Sequence, residues 1–107
     1  MTVFNKSALL LLVACTLFVI ASLISGCAGM YDGKKLFFSV GCSQCHSFKG
    51  RGGSLAPDLS AVTNIRSEDW IYRYIHDPKK INPQARMPAF KHLSGAKRKA
   101  IIAFLKT

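Results

Sequence analysis

The sequence predicts one small all-α domain of three or more helices joined by long loops, with a core too small to close on its own. Three observations carry that expectation. Apolar residues recur at helical spacing in three separate stretches, near residues 33–38, 68–76 and 95–106. Eight glycines and four prolines, nearly all downstream of residue 26, break the chain into short helices and long connections. Setting residues 1–26 aside leaves residues 27–107, which is 81 residues. A domain of that size buries only about 60% of its unfolded surface, so it calls for a metal, a cofactor or a disulfide to complete it.

The first segment stands apart from that domain. Residues 8–24 form a nearly unbroken apolar run of 17, with Lys6 before it and Ser25-Gly26-Cys27 after it. That is the order of an export signal: a basic start, a hydrophobic stretch, then small residues. A retained membrane span is one alternative, although about 17 residues is the lower limit for crossing. Simple cleavage beside Ser22, Ser25, Gly26 or Ala28 is another. The preferred reading is a lipoprotein-type signal, because Leu23-Ile24-Ser25-Gly26-Cys27 resembles the bacterial pattern in which the Cys becomes the lipidated first residue. A thiol accepts the diacylglycerol group, and each buried CH₂ then contributes ~0.8 kcal/mol to anchoring. The expected organisation is a signal over residues 1–26, a short membrane-proximal linker over 27–31 and the folded domain over 32–107. The protein would then face the periplasm from a lipid anchor in the bacterial cell envelope, with Ala28 in place of Asp leaving the outer membrane open. Cys15, inside the apolar run, reads as a small hydrophobe.

The segment Asp32-Gly33-Lys34-Lys35-Leu36-Phe37-Phe38 reads as a short helix leading into Cys42-Ser43-Gln44-Cys45-His46. This C-x-x-C-H run is the signature of thioether attachment of haem. At the start of a helical turn, residues three apart reach the same side, so both thiols can add to the two vinyl groups of one haem edge while His46 offers its imidazole to the iron. A thioredoxin-like dithiol belongs at a strand-to-helix junction, and no strand pair is expected here. A zinc site would need four ligands, and Cys42, Cys45, His76 and His92 lack the usual spacing. A disulfide is the remaining rival in an exported domain.

Beyond the flexible turn Gly50-Arg51-Gly52-Gly53-Ser54 comes Leu55-Ala56-Pro57-Asp58-Leu59. An imidazole ligand donates its second N–H to a carbonyl or carboxylate, and Pro57 offers a carbonyl on a stiff backbone with no competing N–H. Ser67 caps a helix with Glu68 and Asp69 in its first turn and Trp70, Ile71, Tyr74 and Ile75 on one face; Asp77-Pro78 ends it. Trp70 and Tyr74 are candidates to touch the haem, and Arg66 and Arg73 to pair with its propionates. From Lys79 to His92 the prolines predict an extended, stiff loop. It carries Met87-Pro88, whose neutral, soft thioether suits low-spin haem iron as a sixth ligand and raises the reduction potential. His92, His76 and an open position remain alternatives, while Met30 lies only 16 residues before His46. Ser94 caps a last helix from Gly95 to about Lys106, with Ile101, Phe104 and Leu105 on its apolar side. Phe37 and Phe38 are the expected partners of Phe104 and Leu105.

Lys and Arg outnumber Asp and Glu by 15 to 5, a formal +10, and without Lys6 the remainder carries 10 − 1 = +9. Such a balance suits an acidic redox partner or an anionic lipid surface. Nucleic acid is set aside because no recognition helix, finger or aromatic RNA-binding motif accompanies the charge. Lys49, Arg51, Lys79, Lys80 and Lys91 flank the haem-bearing loops and are the residues expected to steer a partner.

Together these segments resemble class I cytochromes c, small mono-haem proteins with His and Met axial ligands. The matches are Gly33 with Phe37, Cys42-Ser43-Gln44-Cys45-His46, Ala56-Pro57-Asp58-Leu59, Asp77-Pro78, Met87-Pro88-Ala89-Phe90 and Leu93-Ser94 with the final helix, covering about residues 31–107. One departure is Ala56, where the family often has Gly. The resemblance implies a cytochrome c fold around one covalently bound haem c and one-electron shuttling rather than catalysis. The haem-bearing subunit of a larger membrane oxidoreductase complex is an alternative to a free carrier. A gas sensor or a peroxidase would need Met87 to dissociate.

Overall fold

The computed structural model describes residues 5–24 and 29–107. The chain divides into an N-terminal unit ending at Met30 and a second unit over Tyr31–Thr107.

In the first unit a single helix, α1, spans Lys6–Ile24. Its described side chains are exposed all round, Phe18 and Leu10 among them. The hydroxyls of Thr16 and Ser22 donate back to the carbonyls of Val13 and Phe18, both at 2.9 Å, so these two polar groups are satisfied within the helix. Nineteen residues rise only about 28 Å, against roughly 30 Å of bilayer hydrocarbon. Among the described residues no helix is long and apolar enough to cross a membrane. Cys27 lies outside the described residues.

The second unit is all-α apart from one minute hairpin. Its helices are α2 (Gly33–Ser39), α3 (Cys42–Cys45), α4 (Val62–Ile65), α5 (Glu68–His76), α6 (Pro78–Ile81) and α7 (Gly95–Leu105). Each of the three longer ones begins where an oxygen-bearing side chain caps it: Asp32 accepts from Lys35 N at 3.0 Å, Ser67 from Trp70 N at 3.2 Å and Ser94 from Lys97 N at 3.3 Å. These caps satisfy backbone donors that a helix start leaves orphaned.

Helices α2 and α7 cross at Gly33 and Ala100, and Phe37 is wholly buried at the junction. Its ring lies 5.5 Å from Phe104 and 6.3 Å from Phe48, and Phe48 and Phe104 meet at 4.8 Å. Ile71 and Ile75 of α5 and Ile101, Ile102 and Leu105 of α7 complete the core with Leu93. Phe38 departs from expectation. It is exposed, with its ring edge-on to Phe37 and the Arg51 guanidinium 5.6 Å above it. Adjacent helical residues are turned about 100° apart, so Phe37 and Phe38 cannot both face α7; Phe48 fills the second aromatic place.

The expected flexible turn is a hairpin: β1 (Ser47–Phe48) pairs antiparallel with β2 (Arg51–Gly52). Lys49 and Gly50, both at positive φ, form its two-residue turn. The expected extended loop after Asp77 also differs, because Pro78 starts the helical turn α6. Proline is preorganised for a first helical position, where its missing N–H costs nothing. The rest of that loop is tied to α5 by the Phe90 N–H, which donates to the Ile75 carbonyl at 3.0 Å.

Two side-chain struts hold α5 to α7: Arg98 donates to the carbonyl and hydroxyl oxygens of Tyr72, and Lys106 pairs with Glu68. A third pair, Lys91 to Asp77 at 2.9 Å, fastens the loop to the end of α5. The hydrogen bond from Lys91 holds the Asp77 carboxyl below the usual carboxylate range. With the folded value depressed, its contribution to stability is present at neutral pH and is lost as pH falls through that value. Asp77→Asn is expected to lower the thermal midpoint slightly at pH 7 and to converge with the parent in acid. Melting curves of both proteins from pH 7 down to about pH 3 check this; a constant offset across the range would contradict it.

Candidate haem site

Helix α3 is a single turn, and its only task is to present Cys42 and Cys45 on one side. The chain enters it through Gly41 at φ 95 and leaves through His46 in extended conformation (φ −97, ψ 140). The His46 N–H still closes the turn on the Cys42 carbonyl at 2.9 Å, so the side chain is swung out beside the two thiols. Gly52 lets the hairpin pack against this exit: a Cβ there would stand 2.2 Å from the His46 carbonyl oxygen.

His46 Nδ1 and the Pro57 carbonyl oxygen are 2.7 Å apart. A carbonyl only accepts, so Nδ1 carries the proton and donates, and Nε2 keeps a free lone pair. The loop that supplies this carbonyl is pinned on both sides, by Ala56 N to Cys45 O at 3.0 Å and by Leu59 N to Ser47 O at 2.9 Å. Asp58, between them, accepts from the Ser47 hydroxyl at 2.5 Å and from Ser60 N at 2.8 Å. Those bonds, Ser47 first, hold its carboxyl below the usual range.

Cys42, Cys45 and His46 open onto a cavity of about 750 Å³ including its mouth. Leu59 and Val62 form one part of its wall, Trp70, Ile71, Tyr74 and Ile75 of α5 another. Met87, Pro88 and Phe90 come from the long loop, and Phe37, Ile101 and Leu105 from the crossing of α2 and α7. Nearly every wall is hydrocarbon or aromatic ring. The donors it contains are two thiols, the groups that attach haem, and an imidazole and a thioether, which are of the types that ligate haem iron. Burial pushes the Cys42 thiol up to about 11, so it sits in the wall uncharged, as does the thioether that replaces it. A large apolar slot within so short a chain is the missing part of the core, and it has the chemistry of a haem pocket.

Of the alternatives to Met87, His92 is exposed, its ring 5.9 Å from Phe90, and it does not line the cavity. His76 does not line it either, being at the end of α5 beside Asp77. Met30 is exposed in the N-terminal unit. No disulfide joins Cys42 and Cys45. Among the described residues no three His, Cys, Asp or Glu side chains gather as a metal site.

Trp70 and Tyr74 lie in the wall, stacked at 4.5 Å, with the Arg66 guanidinium 4.7 Å above the Trp70 ring. Arg73 is instead taken by Asp69 at 2.9 Å on the exposed side of α5. Of the basic residues expected to steer a partner, Lys91 is engaged by Asp77 and Lys49 by the Thr107 carbonyl oxygen, while Lys79 and Lys80 stand exposed on α6. Two parts of the site had escaped sequence reasoning. The wall residues Leu59 and Val62 belong to segments without helical periodicity. The Asp58 brace had a signal, since Asp followed two residues later by Ser is the pattern of an Asx turn.

Fold and pocket together define a small haem c electron-transfer domain, with one haem attached through thioethers to Cys42 and Cys45 beside His46. The chain belongs to the cytochrome c family, which it matches over residues 30–107. It is similar to the cytochrome bc1 complex cytochrome c subunit of Corynebacterium efficiens, 38% identical over 73 residues, 65% of this chain and 23% of that protein. The subunit of the same name from Corynebacterium diphtheriae is 34% identical over 73 residues, 65% of this chain and 24% of its own. The chain thus spans about a quarter of the length of these relatives.

Proposed function

We propose that this chain is the haem-bearing, electron-transferring part of a larger membrane oxidoreductase complex. The observation that carries this reading is its likeness, across the haem domain, to subunits named for membership of a cytochrome bc1 complex. The bound haem supplies one-electron exchange at its iron. The residues of the chain make that exchange cheap. His46, oriented by the Pro57 carbonyl, and Met87, from the long loop, would hold its iron. An imidazole held by that bond and a thioether set in packed walls would need to move little during such exchange. Trp70, Tyr74 and the aliphatic walls keep water from reorganising around it. Met87, entering the cavity, would fill the place a substrate or gas would need, which favours electron carriage over peroxidase or sensor chemistry.

In this reading residues 1–26 direct export, Cys27 carries the lipid, residues 27–31 form the linker and residues 32–107 the electron-transfer domain in the cell envelope. Support for the anchor comes from the order of Lys6, the apolar helix α1 and the small residues before Cys27. Exposed Lys79 and Lys80 suit an acidic face on a neighbouring redox subunit.

Extraction of the tagged full chain in mild detergent is expected to bring other redox subunits with it in fixed stoichiometry, retained in moderate salt. Recovery of the chain alone, with haem intact and fast electron exchange with several soluble proteins, would overturn the complex in favour of a free carrier. Intact-mass measurement on the same sample reads haem addition at Cys42 and Cys45 and acylation at Cys27.

A further inference from the structure

We propose that Asp58 is a positioning residue for the axial imidazole: by bracing Ser47 and Ser60 it fixes the peptide that presents the Pro57 carbonyl, and so sets the strength of the hydrogen bond donated by His46. The proposal rests on His46 being the iron ligand.

Two consecutive residues are joined to two consecutive residues eleven positions later. His46 Nδ1 donates to Pro57 O at 2.7 Å, and the Ser47 hydroxyl donates to Asp58 Oδ2 at 2.5 Å. The peptides 46–47 and 57–58 therefore close a ring through both side-chain bonds. The Pro57 carbonyl belongs to the peptide that ends at Asp58, so a rotation of that peptide would pull the carboxylate off Ser47. The other carboxylate oxygen, Oδ1, takes the Ser60 N–H at 2.8 Å, and the Ser60 hydroxyl accepts from Lys49 N at 2.8 Å in the hairpin turn. Asp58 is thereby held from both sides by the segment next to the ligand. The backbone bonds from Ala56 and Leu59 fix where the loop lies; the Asp58 side chain fixes how its carbonyl is turned.

The direction of the effect follows from the ligand's electronics. A well-aligned bond from Nδ1–H to a carbonyl makes the imidazole more basic and favours ferric iron. Loosening it raises the reduction potential. Charge must be separated from geometry, because removing the carboxylate anion near the iron also raises the potential. Ser47→Ala takes away one arm of the brace and leaves the charge. Asp58→Asn takes away the charge and keeps both contacts, its amide oxygen accepting from Ser60 N and its NH2 donating to the Ser47 hydroxyl oxygen. Asp58→Ala removes both.

The experiment is done on the haem-loaded full chain. It reads the potential by spectroelectrochemistry and the exchange of the His46 Nδ1 proton by proton magnetic resonance of the reduced form. Ser47→Ala is expected to raise the potential and to speed exchange of that proton by about threefold to tenfold, the range that losing part of one hydrogen bond allows. Asp58→Ala is expected to do the same or more. Asp58→Asn is expected to raise the potential while its exchange rate stays near that of the parent. The proposal is overturned if Ser47→Ala leaves both readouts unchanged, or if Asp58→Asn exchanges as fast as Asp58→Ala. A parent protein without ring-current-shifted imidazole protons would instead overturn the ligation of His46, and the brace with it.

Discussion

Replacing Gly33 by alanine is expected to lower the thermal midpoint of the haem-loaded protein by about 12–24 °C, corresponding to about 3 kcal/mol in a domain of this size. A Cβ on Gly33 would stand 1.9 Å from the Ala100 carbonyl oxygen, 2.6 Å from its carbon and 3.0 Å from Phe104 Cβ. The first two neighbours are backbone inside α7 and cannot turn away. Relief requires α2 and α7 to separate, which unpacks Phe37 from Phe104 and opens the wall that Phe37, Ile101 and Leu105 give the cavity. Helix propensity works the other way but is worth at most ~1 kcal/mol in a helix interior and less at this first position. Overpacking wins. Gly29→Ala, where nothing lies within 4 Å, serves as the control and should melt with the parent. Calorimetry of the two variants checks the sign, and a Gly33→Ala protein as stable as the parent would show that the helices can part without loss.

How this crossing could be read from the chain, and how much could not, has a physical pattern. Ser67 and Ser94 announce their helices because a capping oxygen three residues before the donor it satisfies is a local event, and Asp32, not read as a cap, follows the same rule. Cys42, Cys45 and His46 are legible for the same reason: thioether attachment dictates residue types and spacing within five positions. Pro57 could be anticipated as the acceptor for His46 because its carbonyl has no accompanying N–H. Helices α4 and α6 could not be read by periodicity, since four residues make little more than one turn. Phe48 carries no local sign of its place in the core; only the hairpin turn at Lys49 and Gly50 folds it back onto Phe37. Phe38 was misplaced because hydrophobicity alone does not say which of two adjacent rings faces inward. Long-range pairings such as Lys91 with Asp77, or Arg98 with Tyr72, depend on where whole elements come to rest, and no local pattern records them.

Met87→Ala is expected to have the largest effect on function. Met87 is half-buried and enters the same cavity as His46, Cys42 and Cys45, flanked by Pro88 and Phe90 on a loop that the Phe90 to Ile75 bond and the Lys91 to Asp77 pair fasten to α5. Alanine reaches no iron. The sixth position should then pass to water or to an added ligand, the ferric iron should turn high-spin, and the potential should fall as the soft thioether that favours ferrous iron is lost. Stability should suffer modestly, by about 2 kcal/mol, because a half-buried methionine lies at the low end of core truncations. Haem should remain attached, since Cys42 and Cys45 are untouched. That combination separates the ligand role from mere packing, because a packing residue would change the melting temperature without changing the spin state. Absorption and paramagnetic resonance spectra, with carbon monoxide binding to the reduced form, read it directly. Ligand-field spectra unchanged from the parent would remove Met87 from the iron and return the sixth position to His76, His92 or solvent. His76 and His92 do not line the cavity, so either would have to move into it before it could bind.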